Sequence, residues 1–221
     1  MFRQILREEA EKLGLNLPPD TAQAGMELHF HLLKKWNARV NLTSIRDDRE
    51  MVRRHFLESI QAAPFLQEVG PILDFGSGNG FPGVPLELLH QGKLMVLDAS
   101  RKKCSFLKEL FRQLEWEASG VIHRRVNHAS DLQDLGRFQY LTARAVSLTP
   151  ELLSGLPDIL RPGGLALFFV GEKQVPGIEK MVGGQAWVQK IPLQGRKNAC
   201  LAVVRVQNVP RGTFPVDQPP S

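Results

Sequence analysis

Residues 71–104, PILDFGSGNGFPGVPLELLHQGKLMVLDASRKKC, constrain the fold more than any other stretch of this chain. A short apolar run, Pro71 to Phe75, carries Asp74 near its end and breaks into Gly76-Ser77-Gly78-Asn79-Gly80. A helical pattern follows over 84–91, and a second apolar run, Leu94 to Leu97, ends on Asp98. Strand, glycine turn, helix, strand and acid, in that order, form the opening unit of a nucleotide-binding α/β sheet. Glycines let the chain turn sharply off the strand and let a ligand lie against bare backbone. An acid at the end of the second strand is placed to accept both hydroxyls of a ribose.

The spacing of Gly78, Gly80 and Gly83 also satisfies the dinucleotide fingerprint, so the glycines alone leave a nicotinamide-dependent oxidoreductase open. Three details favour S-adenosylmethionine. Asp74 stands two residues before the first glycine, where it can meet the ammonium group of a methionine moiety. The glycines read GxGxG from Gly76. Pro82 and Pro85 remove amide N–H groups near the helix start, where a pyrophosphate needs donors. Asp74, Gly76, Ser77, Gly78, Gly80 and Asp98 are thus the cofactor candidates.

From residue 70 onward strand and helix patterns alternate, which predicts a mostly parallel sheet with helices on both faces. Strands are expected at 71–75, 93–97, 120–125, 138–143, 164–170, 186–192 and 199–206. Helices are expected at 84–91, 101–114 and 149–160, with short ones near 128–135 and 175–181. Ahead of the sheet, apolar residues recur at helical spacing over 2–13 and again from Met26 through Phe30, Leu33 and Trp36 to Val40. Asp47 to Glu50 reads as a capping box opening a third helix that runs to about Ala63. Such helices cannot bury their apolar faces alone, so 1–66 is expected to pack on a core domain at 67–207, with 208–221 as an irregular, proline-bearing tail.

Bulk properties narrow the setting. The 221 residues, 43% hydrophobic and 23% charged, suit one soluble α/β domain with an extension. The N-terminal segment carries acids through its apolar positions and does not read as a signal peptide. The longest apolar run, Leu165 to Val170, is too short to span a membrane. Two cysteines, Cys104 and Cys200, make neither a disulfide framework nor a zinc motif and suit a reducing cytoplasm. His29 and His31 read as surface residues without metal partners. The net charge of +5 leans weakly towards polyanions.

Beyond these patterns the chain resembles the bacterial small-subunit ribosomal RNA guanine-N7 methyltransferases, the glucose-inhibited division protein B family. The matching segments are Trp36-Asn37 with Asn41-Leu-Thr-Ser-Ile-Arg-Asp47, Arg54-His55-Phe-Leu-Glu-Ser59, the glycine loop from Leu73 to Leu86, Leu97-Asp98, and Ala143-Arg144-Ala145. The resemblance implies a Rossmann-like class I methyltransferase fold and methyl transfer from S-adenosylmethionine to guanine N7 in the decoding-region loop of 16S rRNA. The partner is then the small ribosomal subunit or its assembly intermediate, met by a monomer. It implies cofactor contacts at Gly76, Phe81, Val126, Asn127 and Arg144, with Arg144 positioning the reactants. Two positions depart from the family: Asn127 stands where an acid is usual, and Val170 where a lysine is usual, with Lys173 nearby.

Phe81 is expected to cover the cofactor or stack on the guanine, and Trp36 to anchor the core. Asn37, Asn41 and His55 read as structural polar groups. Arg101, Lys102 and Lys103 follow Ser100, an apparent N-cap. They place three cations in a first helical turn, where the macrodipole disfavours each by roughly 0.3–1 kcal/mol. That arrangement beside Asp98 suggests a contact with RNA phosphates, extended by Arg124, Arg125, Arg196 and Lys197 at the same sheet edge.

Overall fold

The computed structural model describes residues 1–117 and 120–206; the expected tail at 208–221 lies outside the described residues. Helix α1, Phe2–Leu13, buries Phe2, Ile5, Leu6 and Ala10 on one stripe and ends at Gly14 in the left-handed conformation. Helix α2, Asp20–Asn37, follows. A helical run over 48–60, labelled α3, opens on Asp47, whose carboxylate accepts the Glu50 amide at 2.8 Å. Its first turn is Asp48–Met51, its middle, Val52–Leu57, is a π-helix, and Glu58–Ile60 closes it. It stops short of the expected Ala63, and a 3₁₀ turn, Ala63–Phe65, takes over.

The sheet strands are β1 (Pro71–Phe75), β2 (Lys93–Asp98), β3 (Val121–His123), β4 (Phe138–Arg144), β5 (Leu160–Gly171), β6 (Ala186–Pro192) and β7 (Ala199–Val206). Their order is β3-β2-β1-β4-β5-β7-β6. Strands β1 to β5 pair in parallel, and β7 runs antiparallel between β5 and β6. All seven expected strands are present, with two boundary corrections. β3 ends at His123, not Arg125, because its partner β2 ends at Asp98 and the ladder has nothing further to pair with. β5 begins at Leu160, so the Arg161-Pro-Gly-Gly164 turn is taken up as a register shift inside the β4–β5 ladder.

Helices α4 (Gly83–His90) and α5 (Arg101–Gln113) follow β1 and β2. The helix expected over 149–160 is broken into α6 (Pro150–Ser154) and α7 (Leu156–Ile159). Pro157 has no N–H to continue the helical ladder, which accounts for the break. Helix α8, Val175–Val182, precedes β6, and the segment near 128–135 is a 3₁₀-helix, Ala129–Leu135.

Strand alternation divides the core in two. Leu165, Leu167 and Phe169 face one layer, together with Ile72, Val96, the helices before the sheet, and Phe106, Leu107 and Leu110 of α5. Ala166, Phe168, Leu73 and Leu141 face the other, against Leu152, Leu153, Leu156 and Ile178. The N-terminal helices therefore pack on one face of the sheet, and their joint is aromatic. Phe56 is fully buried. Its ring centroid lies 5.2 Å from Phe2, 6.3 Å from Phe30 and 4.9 Å from Phe81, the last in the glycine loop. Among the described residues no helix is long and apolar enough to cross a membrane.

Phe56→Ala should cost about 3–5 kcal/mol, the range for emptying a buried aromatic site. Urea unfolding checks it, and a loss below about 1 kcal/mol would mean that the site collapses around the missing ring.

Candidate active site

The carboxyl ends of β1, β2 and β4 converge on the glycine turn, the place where open α/β sheets bind ligands. Gly76, Gly78 and Gly80 all have positive φ, at 69°, 61° and 91°. At Gly76 a Cβ would lie 2.3 Å from Val146 Cγ1, so only glycine fits there. At Gly78 a Cβ would meet nothing nearer than 3.8 Å, so its bare backbone faces open space beside Lys103. That open cradle fits a nucleoside laid along the turn.

Asp74 is not where the sequence suggests. It is fully buried. Its Oδ2 accepts the Ser77 hydroxyl and the Gly83 amide, and its Oδ1 accepts Thr142 Oγ1 at 2.8 Å. Burial pushes its carboxyl pKa up, while these three donors and Arg144 hold it down. It ties the loop together from behind and presents no carboxylate to a methionine ammonium. Ser77 is likewise buried, with its hydroxyl spent on Asp74.

Asp98 does stand at the turn. Oδ2 accepts the Gly78 amide at 2.9 Å and Oδ1 the Ser100 amide at 2.8 Å. Each carboxylate oxygen accepts two hydrogen bonds, so both retain capacity for ribose hydroxyls. Lys103 Nζ lies 3.9 Å from Oδ2, which gives one of the three first-turn cations a local partner. Ser100 occupies the N-cap position but makes no side-chain cap bond. Arg101 and Lys102 are exposed.

Val126 is half-buried and Asn127 exposed in the loop after β3, where the Asn127 amide donates to Asp131 Oδ2 at 2.9 Å. Arg124 is committed to its own loop: its two Nη atoms hold Asp134 at 2.6 and 2.8 Å. Its place in a phosphate track is corrected accordingly. Arg125 and Lys197 are exposed.

Phe81 is 2% exposed and stacks on His29 at 4.4 Å and on His55 at 4.7 Å, and it lines the cavity described below. His29, expected on the surface, is fully buried. The signal missed was its position on the apolar stripe of α2, next to Phe30 and three residues after Met26. Its Nε2 donates to the Asn79 carbonyl at 2.8 Å, while Nδ1 has no partner. The ring is therefore neutral, with its pKa lowered to about 3 by burial.

His55 is locked in the same way. Arg144 Nη2 donates to Nδ1 at 3.0 Å, which fixes the proton on Nε2, 3.0 Å from Thr43 Oγ1. Burial, with the charge of Arg144, lowers its pKa to about 2. Thr43 is held in turn by Asn37, whose Oδ1 accepts the Leu42 and Thr43 amides at 2.8 and 3.0 Å. Asn37 and His55 thus spend their polar groups on neighbouring groups of the protein. Asn41 is exposed, and Trp36 packs edge-on to Phe106 against the core. Arg144 ends β4 just before Ala145, a non-glycine residue at φ 55°, and also donates to the Arg54 carbonyl at 2.9 Å. Burial pushes its pKa down, opposed by Glu58 and Asp74.

These groups surround a cavity of about 280 Å³ lined by Thr43, Arg54, His55, Glu58, the Gly76–Asn79 turn, Lys103, Arg144 and Arg196. A larger cavity, about 600 Å³, opens at the amino edge of the sheet beside Glu87, Lys93 and Trp116. It lies at the wrong end of the strands for the glycine turn, so the smaller cavity is the candidate site. Among the described residues no cluster of histidine, cysteine and acids is placed to hold a metal.

The family model described as GidB, rRNA small subunit methyltransferase G, matches residues 22–189. The chain belongs to the GidB family. A relative from Syntrophobacter fumaroxidans named ribosomal RNA small subunit methyltransferase G 1 is 36% identical over 180 residues, 80% of this chain and 81% of its own. A Neisseria meningitidis relative named ribosomal RNA small subunit methyltransferase G is 33% identical over 163 residues, 73% of this chain and 76% of its own. Among solved structures, the O-methyltransferase from Bacillus cereus in complex with SAH superposes with a TM-score of 0.58 at 14% identity, over 94% of this chain and all of that one. A SAM-dependent methyltransferase from Aquifex aeolicus gives 0.56 at 13% identity, over 80% and 98%. This GidB chain thus has the Rossmann-like class I methyltransferase fold.

Two buried neutral imidazoles make stability depend on pH. Unfolded histidine takes up a proton near pH 6.5, whereas folded His29 and His55 do so only near 3 and 2. Their contribution is complete above pH 6.5 and is lost as pH falls below it, by up to about 1.4 kcal/mol per pH unit for each ring. His29→Phe should lower the slope of unfolding free energy between pH 5.5 and 4.5 by about that amount in urea titrations. An unchanged slope would mean that folded His29 binds its proton at an ordinary pKa.

Proposed function

We propose that this chain transfers a methyl group from S-adenosylmethionine to N7 of a guanine in the decoding-region loop of 16S rRNA, acting on the small ribosomal subunit or its assembly intermediate. One observation carries the reaction type: the cavity offers a cradle for a nucleoside and no group free to take a proton. Both nitrogens of His55 are occupied, and Glu58 is enclosed by Arg54, Arg144 and Arg196. Guanine N7 carries a lone pair and no proton, so its attack needs no general base. S-adenosylmethionine supplies the electrophilic methyl group on its sulfonium.

The chain's part is then binding and alignment. Asp98 takes the ribose, the Gly76–Gly80 backbone supports the nucleoside, and Val126 and Asn127 flank the adenine, where an amide offers both a donor and an acceptor. Arg144, fixed by His55 and the Arg54 carbonyl, positions the methionine end and the incoming base. Membership of the GidB family supports ribosomal RNA as the substrate. A nicotinamide oxidoreductase, the rival reading of the glycines, wants an acid–base group beside its substrate.

Purified protein, radiolabelled S-adenosylmethionine and unmethylated small subunits should yield one new 7-methylguanosine, located by nuclease digestion and mass spectrometry. Methylation at another atom or nucleotide would overturn the N7 assignment. Asp98→Ala should weaken S-adenosylmethionine binding about 10- to 100-fold by calorimetry, the loss of charge-assisted hydrogen bonds to two hydroxyls. Wild-type affinity in that variant would remove Asp98 from the cofactor site.

A further inference from the structure

Positive charge in the cavity exceeds what the neighbouring carboxylates offset. Glu58, its side chain 3% exposed, gathers three guanidiniums. Arg196 Nη1 lies 3.1 Å and Arg144 Nη1 3.8 Å from Oε1, and Arg54 Nε lies 3.6 Å from Oε2. Asp74 also attracts Arg144, so Glu58 and Asp74 together leave one of the three arginine charges uncompensated. Glu50, 3.9 Å from Arg54, is 46% exposed and so a weak, solvent-screened partner. Lys103, across the cavity, adds a further cation whose own partner is Asp98.

The three arginines are not equivalent. Arg144 is only 12% exposed, and its fork is taken by His55 and the Arg54 carbonyl. Arg54 and Arg196 stand at the rim, 35% and 41% exposed. Arg54 turns its buried Nε towards Glu58, and Arg196 spends one of its five donors there, so the remaining donors of both are free of that carboxylate. Arg54 belongs to the π-helical turn of α3, a geometry that recurs at functional sites. Two guanidiniums held by the two oxygens of one buried carboxylate, with donors to spare, suit the oxygens of a single oxyanion.

We infer that Arg54 and Arg196, fixed by Glu58, form a seat for one RNA backbone phosphate beside the target nucleotide. The inference rests on the proposed RNA substrate. A strand that inserts one base into the cavity must lay its flanking backbone over the rim, where these two arginines are. The carboxylate of the cofactor's methionine moiety has the same chemistry, and the two assays below tell the two anions apart. Exposed Lys197 continues the positive surface outward from the seat.

The test compares Arg54→Gln, Arg196→Gln and the double variant in two assays. One is calorimetric binding of S-adenosylhomocysteine; the other is filter binding of unmethylated small subunits at stepped salt. S-adenosylhomocysteine affinity should stay within about two-fold, while subunit affinity falls about ten-fold and the slope of log K against log salt shrinks by about 1, the loss of one phosphate contact. Because both arginines hold the same phosphate, either single substitution should produce most of the effect of the double. Unchanged subunit affinity and slope would overturn the seat. Weaker S-adenosylhomocysteine binding with unchanged subunit affinity would overturn it too, in favour of the cofactor carboxylate. Should the double variant fail to fold because Glu58 loses two partners, Arg54→Lys with Arg196→Lys keeps the charge and loses the fork. It should still weaken subunit binding alone, and wild-type subunit binding there would count against the seat. None of these readings needs methyl transfer, so an error in the N7 assignment leaves the outcome legible. Wild-type protein that does not bind subunits would bring down the substrate reading and the seat together.

Discussion

A single buried carboxylate holds the site in shape. Asp74 joins β1 to β4 through Thr142, to the turn through Ser77, and to the start of α4 through the Gly83 amide. Each of these donors would otherwise be an unmade hydrogen bond in a dry interior, where an orphaned polar group costs on the order of 1–3 kcal/mol. The glycines can lie bare towards the cavity because this acid organises them from behind. A Cβ at Gly83 would lie 2.7 Å from Asp74 Oδ2, so even the tightness of the helix entry traces back to it.

Around that anchor the protein builds a second, aromatic tie. Phe81 leaves the glycine loop and enters a nest of His29, His55 and Phe56, rings that come from α2 and α3. Uncharged histidines serve here as flat apolar plates that still hydrogen-bond at their edges, His29 once and His55 twice. His29 spends that bond on the Asn79 carbonyl, and His55 connects Thr43 to Arg144. The helices ahead of the sheet therefore supply one wall of the cavity and fix the loop that forms the other.

Most of the fold was legible in the sequence, because strands buried on both faces and a glycine turn between them leave a strong local signature. All seven strands, the paired acids Asp74 and Asp98 and the helical extension could be read in this way. What could not be read was depth. An acid at a strand end looks the same whether it stands beside the open glycine turn, as Asp98 does, or lies under the loop, as Asp74 does. His29 was misplaced for the same reason: its surroundings, like those of Phe81, are made by α2, α3 and the loop together, from segments far apart in sequence. The gathering of Arg54, Arg144 and Arg196 on Glu58 is likewise a property of the tertiary structure, since the four residues come from a helix, a strand end and the loop between β6 and β7.

The division of the core by strand alternation also bears on how the chain is made. Phe2, Phe30 and Phe56 share one apolar layer with Leu201 and Val203 of β7, and Leu13 packs directly beside Gly195. Helix α1 thus shares its apolar layer with β7, the described strand furthest from it along the chain. Contacts so distant along the chain slow folding and leave sticky surface exposed during synthesis. The early helices meet that interval with charge: Glu9 of α1 pairs with Lys12 at 2.7 Å and with Arg49 of α3 at 3.2 Å. Those pairs form entirely within the first 50 or so residues, which gives the nascent segment contacts of its own while its aromatic face awaits the sheet.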